Sequence, residues 1–411
     1  MPKHIAHILW LALVAGFVSM AYYLSLLVHV PVYVTALLAV VFALYSFKKI
    51  SRLIVDEPAL PASKNLWASV LFIGGVVLLT NKTYYLERQY GHWDAWWIWN
   101  YHANYLAHPG YWKQLFTLPE HYHPSYPLFT SSFIAFFWRL FHTESQIIPF
   151  AAGFIITLLT PALIFLALYR RNVLMAAVPL LILATDEFYL ERGVAQYSDV
   201  PLGFMLLCAM VCMAYAKHSV RVVAIVGALL GCCMWIKNEG VMLAAIFTLF
   251  HFRALVLRGN GRYFAMGILL PVIVLSVFKI QAPTTDIVAE QNGKALSYLA
   301  DKSRYELVWQ YLTQNLANNY FYIKAGLIAY AIICLAMRRL PARNIVLLVC
   351  CTMGFCFIYI ISPKGLDWHL ASSMDRVLLQ LVPAFMFALA SQFCELAPQA
   401  DNGLRKQSTN L

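Results

Sequence analysis

The sequence predicts an all-helical bundle threaded repeatedly through a membrane, and three observations carry that reading. Of 411 residues, 61% are apolar and 12% charged, with a mean hydropathy of +0.67. An average soluble domain is about a quarter charged. The apolar residues form unbroken runs rather than an alternation. Inside a bilayer only helices or a closed barrel satisfy the backbone, and unbroken runs of about 17–25 residues select helices. Lys and Arg gather in short segments between the runs. This composition excludes a disordered chain, a disulfide scaffold and a soluble enzyme.

Thirteen runs follow in order, over 6–28, 31–47, 66–81, 127–141, 146–168, 173–188, 201–216, 222–237, 241–257, 263–281, 320–337, 344–361 and 377–394. They make one transmembrane domain, 1–394, with a cytoplasmic tail, 395–411. The first run resembles a signal peptide but lacks a small-residue cleavage site, and a second run follows at once. It reads as a retained helix. The two long connections are 82–126 and 282–319. All nine cysteines lie in apolar runs, so they read as small core residues.

Charge sets the orientation. Lys3, Lys48–Arg52, Lys64, Arg170/Arg171, Lys217/Arg221, Arg253/Arg258/Arg262, Arg338/Arg339/Arg343 and Arg405/Lys406 are placed in the cytoplasm. That side then holds 17 basic residues against four acids, Asp56, Glu57, Glu395 and Asp401, a net of +13. The other side holds 13 against 15, a net of −2, and together they give the formal +11. The basic excess is a topology signal, and no nucleic-acid partner is implied. Both long connections fall outside. Thirteen full crossings would leave the C-terminus outside, against Arg405 and Lys406, so one run does not cross. The short 127–141 run, after a Pro-rich loop, is the best candidate for a re-entrant segment.

Segment 90–128 is the densest in chemistry, with five of the eleven Trp and five of the twelve His. Trp93, Trp96, Trp97, Trp99, Tyr101 and Tyr105 surround a short predicted helix after Asp94, which has N-cap character. An interfacial aromatic belt accounts for most of these rings. It does not account for an acid among them, since a carboxylate near hydrocarbon is costly and marks function. Asp199, Lys237, Glu239, His369, Asp375 and Arg376 recur at the outer ends of other segments. Taken singly they read as an N-cap, a local Lys–Glu pair and a snorkelling Arg. Taken together they line one outward-facing cavity. His92, Asp94, His121 and His123 leave room for a divalent metal, though no metal ligand is assigned.

WDAWWIWN…HPSYPL (93–128), YSDVPL (197–202), KNEG (237–240) and DWHL…DR (367–376) together resemble elements of bacterial C-type glycosyltransferases. These integral-membrane enzymes are related to protein O-mannosyltransferases and aminoarabinose transferases. The resemblance implies transfer of a sugar from a polyprenyl-phosphate donor to an acceptor hydroxyl. It implies inversion at the anomeric carbon, at the periplasmic face of a bacterial inner membrane. Asp94 would be the catalytic base. Lys237, Arg376 and His369 would hold the departing phosphate, since stabilising developing charge is usually the largest catalytic term. Trp93 and Trp96 would stack on sugar, and Asn100, His123, Tyr126, Asp199 and Glu239 would line the substrate site. The acceptor could be a lipid, a glycan or a protein. The sequence departs from the pattern at Ser125, where an acid is usual, and at His102 and Asn104, where Lys is common. A polytopic transporter or flippase is one alternative, although no inverted repeat is visible. A non-catalytic envelope-assembly protein is another.

Overall fold

Apolar helices dominate the fold, as the unbroken runs require. The computed structural model describes residues 1–55, 60–86, 90–215, 219–257, 259–284 and 293–396. Asp56, Glu57, Lys217, Arg258, Asp286, Glu290 and residues 397–411 of the tail lie outside the described residues.

In chain order the helices are α1 (Lys3–Leu27), α2 (Val32–Ser51), α3 (Ala62–Tyr85), α4 (Asn100–Ala107), α5 (Phe129–Phe141), α6 (Ile147–Leu168), α7 (Val173–Thr185), α8 (Glu187–Val194), α9 (Asp199–Met213) and α10 (Val220–Ile236). Then come α11 (Glu239–Phe250), α12 (Phe252–Leu255), α13 (Gly261–Gln281), α14 (Ala295–Ala300), α15 (Lys302–Asn318), α16 (Phe321–Ala336), α17 (Arg343–Ile360), α18 (Leu366–Leu379) and α19 (Val382–Leu396). A π-helical turn, Ala95–Trp99, leads into α4. No strand occurs among the described residues.

Six of these helices are long and apolar enough to cross a membrane, and nine if each of three bent pairs counts as one span. The chain is an integral membrane protein with a polytopic helical fold. The thirteen apolar runs include four, over α5, α9, α10 and α11, whose helices fall below this length. At 1.5 Å per residue, the 15 residues of α9 reach about 22 Å, against a hydrocarbon core of about 30 Å. Every residue of α9 is buried, so this helix is surrounded by protein rather than lipid.

The two ends of the bundle are chemically distinct. At the basic end the Met1 ammonium donates to the Leu53 carbonyl, Lys64 donates to the Arg170 carbonyl, and Arg171 faces Glu395. The opposite end gathers the 90–128 segment, the start of α9, the α10–α11 turn and α18. Helix α5 reaches this end at its C-terminus, while the carbonyl of Phe129 at its start accepts from Ser19 inside α1. The Ser125 carbonyl before it accepts from Lys279 in the last turn of α13, and His142 after it bonds Tyr33 at the start of α2. At thirteen residues α5 reaches about 20 Å, short of a hydrocarbon core of about 30 Å.

Helices α10 and α13 make the closest pairing. Gly227 and Gly231, four apart, lie against Phe264 and Pro271, and a Cβ on Gly267 would meet the Ala224 carbonyl at 2.0 Å. Small residues let the backbones approach, which is how helices associate where lipid removes the hydrophobic drive. The nine cysteines are unbridged, seven of them buried. Helix α15 mixes charged and amide side chains with apolar ones, leaves Trp309 exposed, and meets α16 at 96°. That angle lays the amphipathic segment of the second long connection across the bundle end.

Candidate functional site

Three short helices end at the charged end of the bundle and so place their terminal residues below its rim. Ser198 precedes α9, and Asp199 occupies its first turn, 1% exposed. Asp199 is therefore no simple cap. Its Oδ1 accepts from Lys237 Nζ at 2.9 Å and from Gln380 Nε2 at 2.7 Å. Lys237 ends α10 in an extended conformation and also faces Glu239, at 3.2 Å. The KNEG turn closes tightly enough that a Cβ on Gly240 would stand 1.9 Å from the Cys233 carbonyl, so only glycine fits.

Asp94 does not cap a helix. Its backbone is already helical and its side chain makes no cap bond. The carboxylate instead pairs with Arg376 of α18, 282 residues away, and neither side chain is more than one-fifth exposed. Arg376 therefore does not snorkel outward. Its guanidinium also donates to the Ser372 carbonyl and lies over the Tyr197 ring, 5.2 Å from the centroid. Arg192 approaches the same ring at 5.6 Å and faces Asp375 at 3.8 Å. The Tyr197 hydroxyl bonds His92 Nδ1 at 2.8 Å. Burial first, then the Asp94 charge, raises the Tyr197 pKa above its ordinary 10.

The 90–128 segment roofs this cluster. His123, in the left-handed backbone region, stacks on Tyr126 with centroids 4.5 Å apart, and Tyr126 stacks on Trp99. His123 is pushed down to about 4 by burial and by Lys364, so it is neutral at pH 7. Tyr126 is raised by burial and then by Glu239. Lys364, just before α18, reaches Glu120 at 3.5 Å and ties the roof to the last helices. His369 Nδ1 bonds Ser362 Oγ at 2.9 Å, against Tyr359. Arg304 of α15 donates to three main-chain carbonyls, of Tyr359, Ile360 and Ser362, at the end of α17.

The structure thus gathers Asp94, His123, Tyr126, Asp199, Lys237, Glu239 and Arg376 into one charged cluster, with His369 beside it. Three expected substrate-site residues sit elsewhere. Trp93 and Trp96 are more than half exposed, with Trp93 against Trp97 and Trp96 bonded to the Tyr90 carbonyl. That placement matches the belt alternative. Asn100 is buried and spends its amide on Gln196, at 2.7 Å. The four prospective metal ligands are not gathered: His92 holds Tyr197, His121 packs on Tyr122, and Asp94 holds Arg376. No group of three or more His, Cys, Asp or Glu is placed to hold a metal among the described residues.

The charge balance also differs from expectation. Asp94, Asp199 and Glu239 oppose Lys237 and Arg376, and Arg192 cancels Asp375, so these residues together carry one net negative charge. Among the described residues, no cation of the cluster stands uncompensated. Residues that sequence reading missed are Tyr197, Arg192, Gln380 and Lys279. Lys279 holds Asn238 Oδ1 at 2.8 Å as well as the Ser125 carbonyl. The available signals were a lone Lys in the last turn of an apolar helix and an amide between two apolar helices.

An apolar groove of about 380 Å³ opens between α1, α5, α6 and α9, lined by Ala15, Phe133, Ile156 and Met205 among others. Its polar end is formed by Thr130, Gln196 and Tyr197. Tyr197 therefore belongs to both the groove and the ion-pair cluster. The chain matches no protein-family description, no characterised protein and no solved structure in the comparisons made.

Proposed function

We propose that this protein is a membrane glycosyltransferase of the C type, moving a sugar from a polyprenyl-phosphate donor to an acceptor hydroxyl. The observation that carries the proposal is the Asp94–Arg376 pair, set beside Tyr197 where the apolar groove ends. A lipid-linked sugar phosphate needs that sequence of environments: an apolar channel for the chain, then a cation for the phosphate, then a carboxylate for the acceptor.

The paired resting state fits a swap. Donor phosphate draws the Arg376 fork away from Asp94, since a guanidinium matches phosphate oxygens as well as it matches a carboxylate. Released Asp94 takes the acceptor O–H proton. The acceptor oxygen bonds to the anomeric carbon as the bond from that carbon to the phosphate oxygen breaks. Polyprenyl phosphate leaves with the electron pair, held by Arg376. Lys237, bound by Asp199 and Glu239, keeps the cluster in shape. By the positive-inside arrangement the site faces the periplasm of a bacterial inner membrane.

Complete charge pairing also favours a second reading, a non-catalytic envelope-assembly protein in which the ion pairs are structural. Purified protein incubated with a panel of labelled polyprenyl-phosphate sugars separates the two. Release of polyprenyl phosphate by the native protein, lost in Asp94→Asn, is the expected result. Equal release by both excludes Asp94 as base. No release from any donor, with the protein folded and no donor bound, favours the assembly reading.

A further inference from the structure

We infer a second lipid site at the basic end of the bundle, taking an anionic glycerophospholipid from the surrounding leaflet. It is independent of the glycosyl-transfer reading. A groove of about 580 Å³ lies between the start of α3 and the α6–α7 turn, lined by Lys64, Trp67, Leu71, Arg171, Asn172 and Leu174.

Its chemistry is layered. Lys64, Trp67 and Leu71 stand at i, i+3 and i+7, on one face of α3. The cation therefore lies at the mouth and the apolar side chains lie one and two turns deeper. Lys64 spends one proton on the Arg170 carbonyl, at 2.9 Å, which fixes its ammonium and leaves two donors. The Arg171 side chain is half exposed. Its guanidinium is held only loosely, by Ser391 Oγ at 3.4 Å and Glu395 at 3.8 Å. Trp67 and Leu174 are 63% and 67% exposed, apolar surface with no protein cover among the described residues.

A bilayer presents one molecule in that order: phosphate at the headgroup level, acyl chains beneath. Two cations against one carboxylate favour a headgroup of net negative charge over a zwitterionic one. Basic grooves between helices at a cytoplasmic surface are suited to such lipids. Glu395 acts as an internal competitor for Arg171, which gives the proposal a sign that general stickiness lacks.

The test is native mass spectrometry of the full chain in detergent, titrated with phosphatidylglycerol and with phosphatidylcholine. The expected result is about tenfold tighter binding of phosphatidylglycerol, falling to near parity in Lys64→Gln/Arg171→Gln. Glu395→Gln is expected to tighten phosphatidylglycerol about threefold, a gain a misfolded protein would not show. Inorganic phosphate and glycerol 3-phosphate at millimolar levels are expected not to displace the lipid. Absence of a preference in the native protein overturns the proposal, as does a preference unchanged in the double variant. No tightening in Glu395→Gln overturns the role of Arg171. Displacement by free phosphate overturns the lipid and leaves a simple anion site.

Discussion

Lys237 shows how much depends on single charges in this cluster. Among the described residues it is the only cation bonded to Asp199, and Glu239 leans on it as well. Breaking a buried pair by removing one partner leaves an uncompensated charge, at a cost of about 3–5 kcal/mol. Lys237→Met is therefore expected to lower the unfolding midpoint in detergent sharply, and adding Asp199→Asn to recover part of the loss. Asp94→Asn behaves differently, because the amide still accepts from Arg376. The amide carries no charge, so the variant is expected to lower the midpoint, though less than Lys237→Met does, while cutting transfer by about 10²–10⁴-fold, the range of a lost general base. His102 gives a pH signature. Wholly buried, and bonded through Nε2 to the Tyr122 carbonyl, it is pushed down to about 4 from an ordinary 6.5. Above pH 6.5 it is neutral whether folded or unfolded. Between about 6.5 and 4 only the unfolded chain takes the proton, so stability is lost as pH falls through that window. His102→Asn is expected to reduce the slope of unfolding midpoint against pH, with His123 among the groups that contribute the rest. Asp94 and Arg376 were legible in the sequence because charges stand out in apolar surroundings. Tyr197 was not, since one aromatic among 24 tyrosines carries no signal until a guanidinium is seen lying over it.

Elements were legible in proportion to their length. The long helices α1, α2, α3, α6 and α13 coincide with apolar runs, and the expectation that 127–141 is re-entrant rests on the charge count, its shortness and the Pro-rich loop before it. The variants His121→Cys and His142→Cys, on either side of α5, are expected to label with an impermeant thiol reagent from the same side of sealed vesicles. Labelling from opposite sides would make α5 a full crossing. The bends between α7 and α8, at 66°, and between α15 and α16, at 96°, were less readable. Asp186 and Glu187 mark the first break and Asn318 and Asn319 the second, but the angle at each is decided by what the two halves pack against. The Gly227–Gly231 spacing was present in the sequence but gained meaning only once α13 was seen against it. Gly267→Val, which drives a side chain into the Ala224 carbonyl, is expected to cost at least about 2 kcal/mol by overpacking. Thermal unfolding checks this, and the loss should be greater than that for Gly74→Val on α3, where a Cβ would meet nothing within 4 Å.

For the whole molecule, composition and charge fixed the solvent, the helical class and the inequality of the two ends. The location of the cluster could not be read, because four separate chain segments supply it and their meeting depends on packing. The apolar groove was equally hidden, since its lining residues look like any others in α1, α5, α6 and α9. Filling it with Ala15→Phe is expected to raise KM severalfold for a long-chain donor, with little change for a short-chain, water-soluble analogue. Equal KM changes for both would place the chain elsewhere.

Arg304 joins the helix lying across the bundle end to three carbonyls at the end of α17, and Ser362, one of the three, holds His369 at the start of α18. The same α18 carries Arg376. A surface helix anchored in that way works as a lever arm. Displacing α15 would therefore pull, through Ser362 and His369, on the same helix whose Arg376 pairs with Asp94.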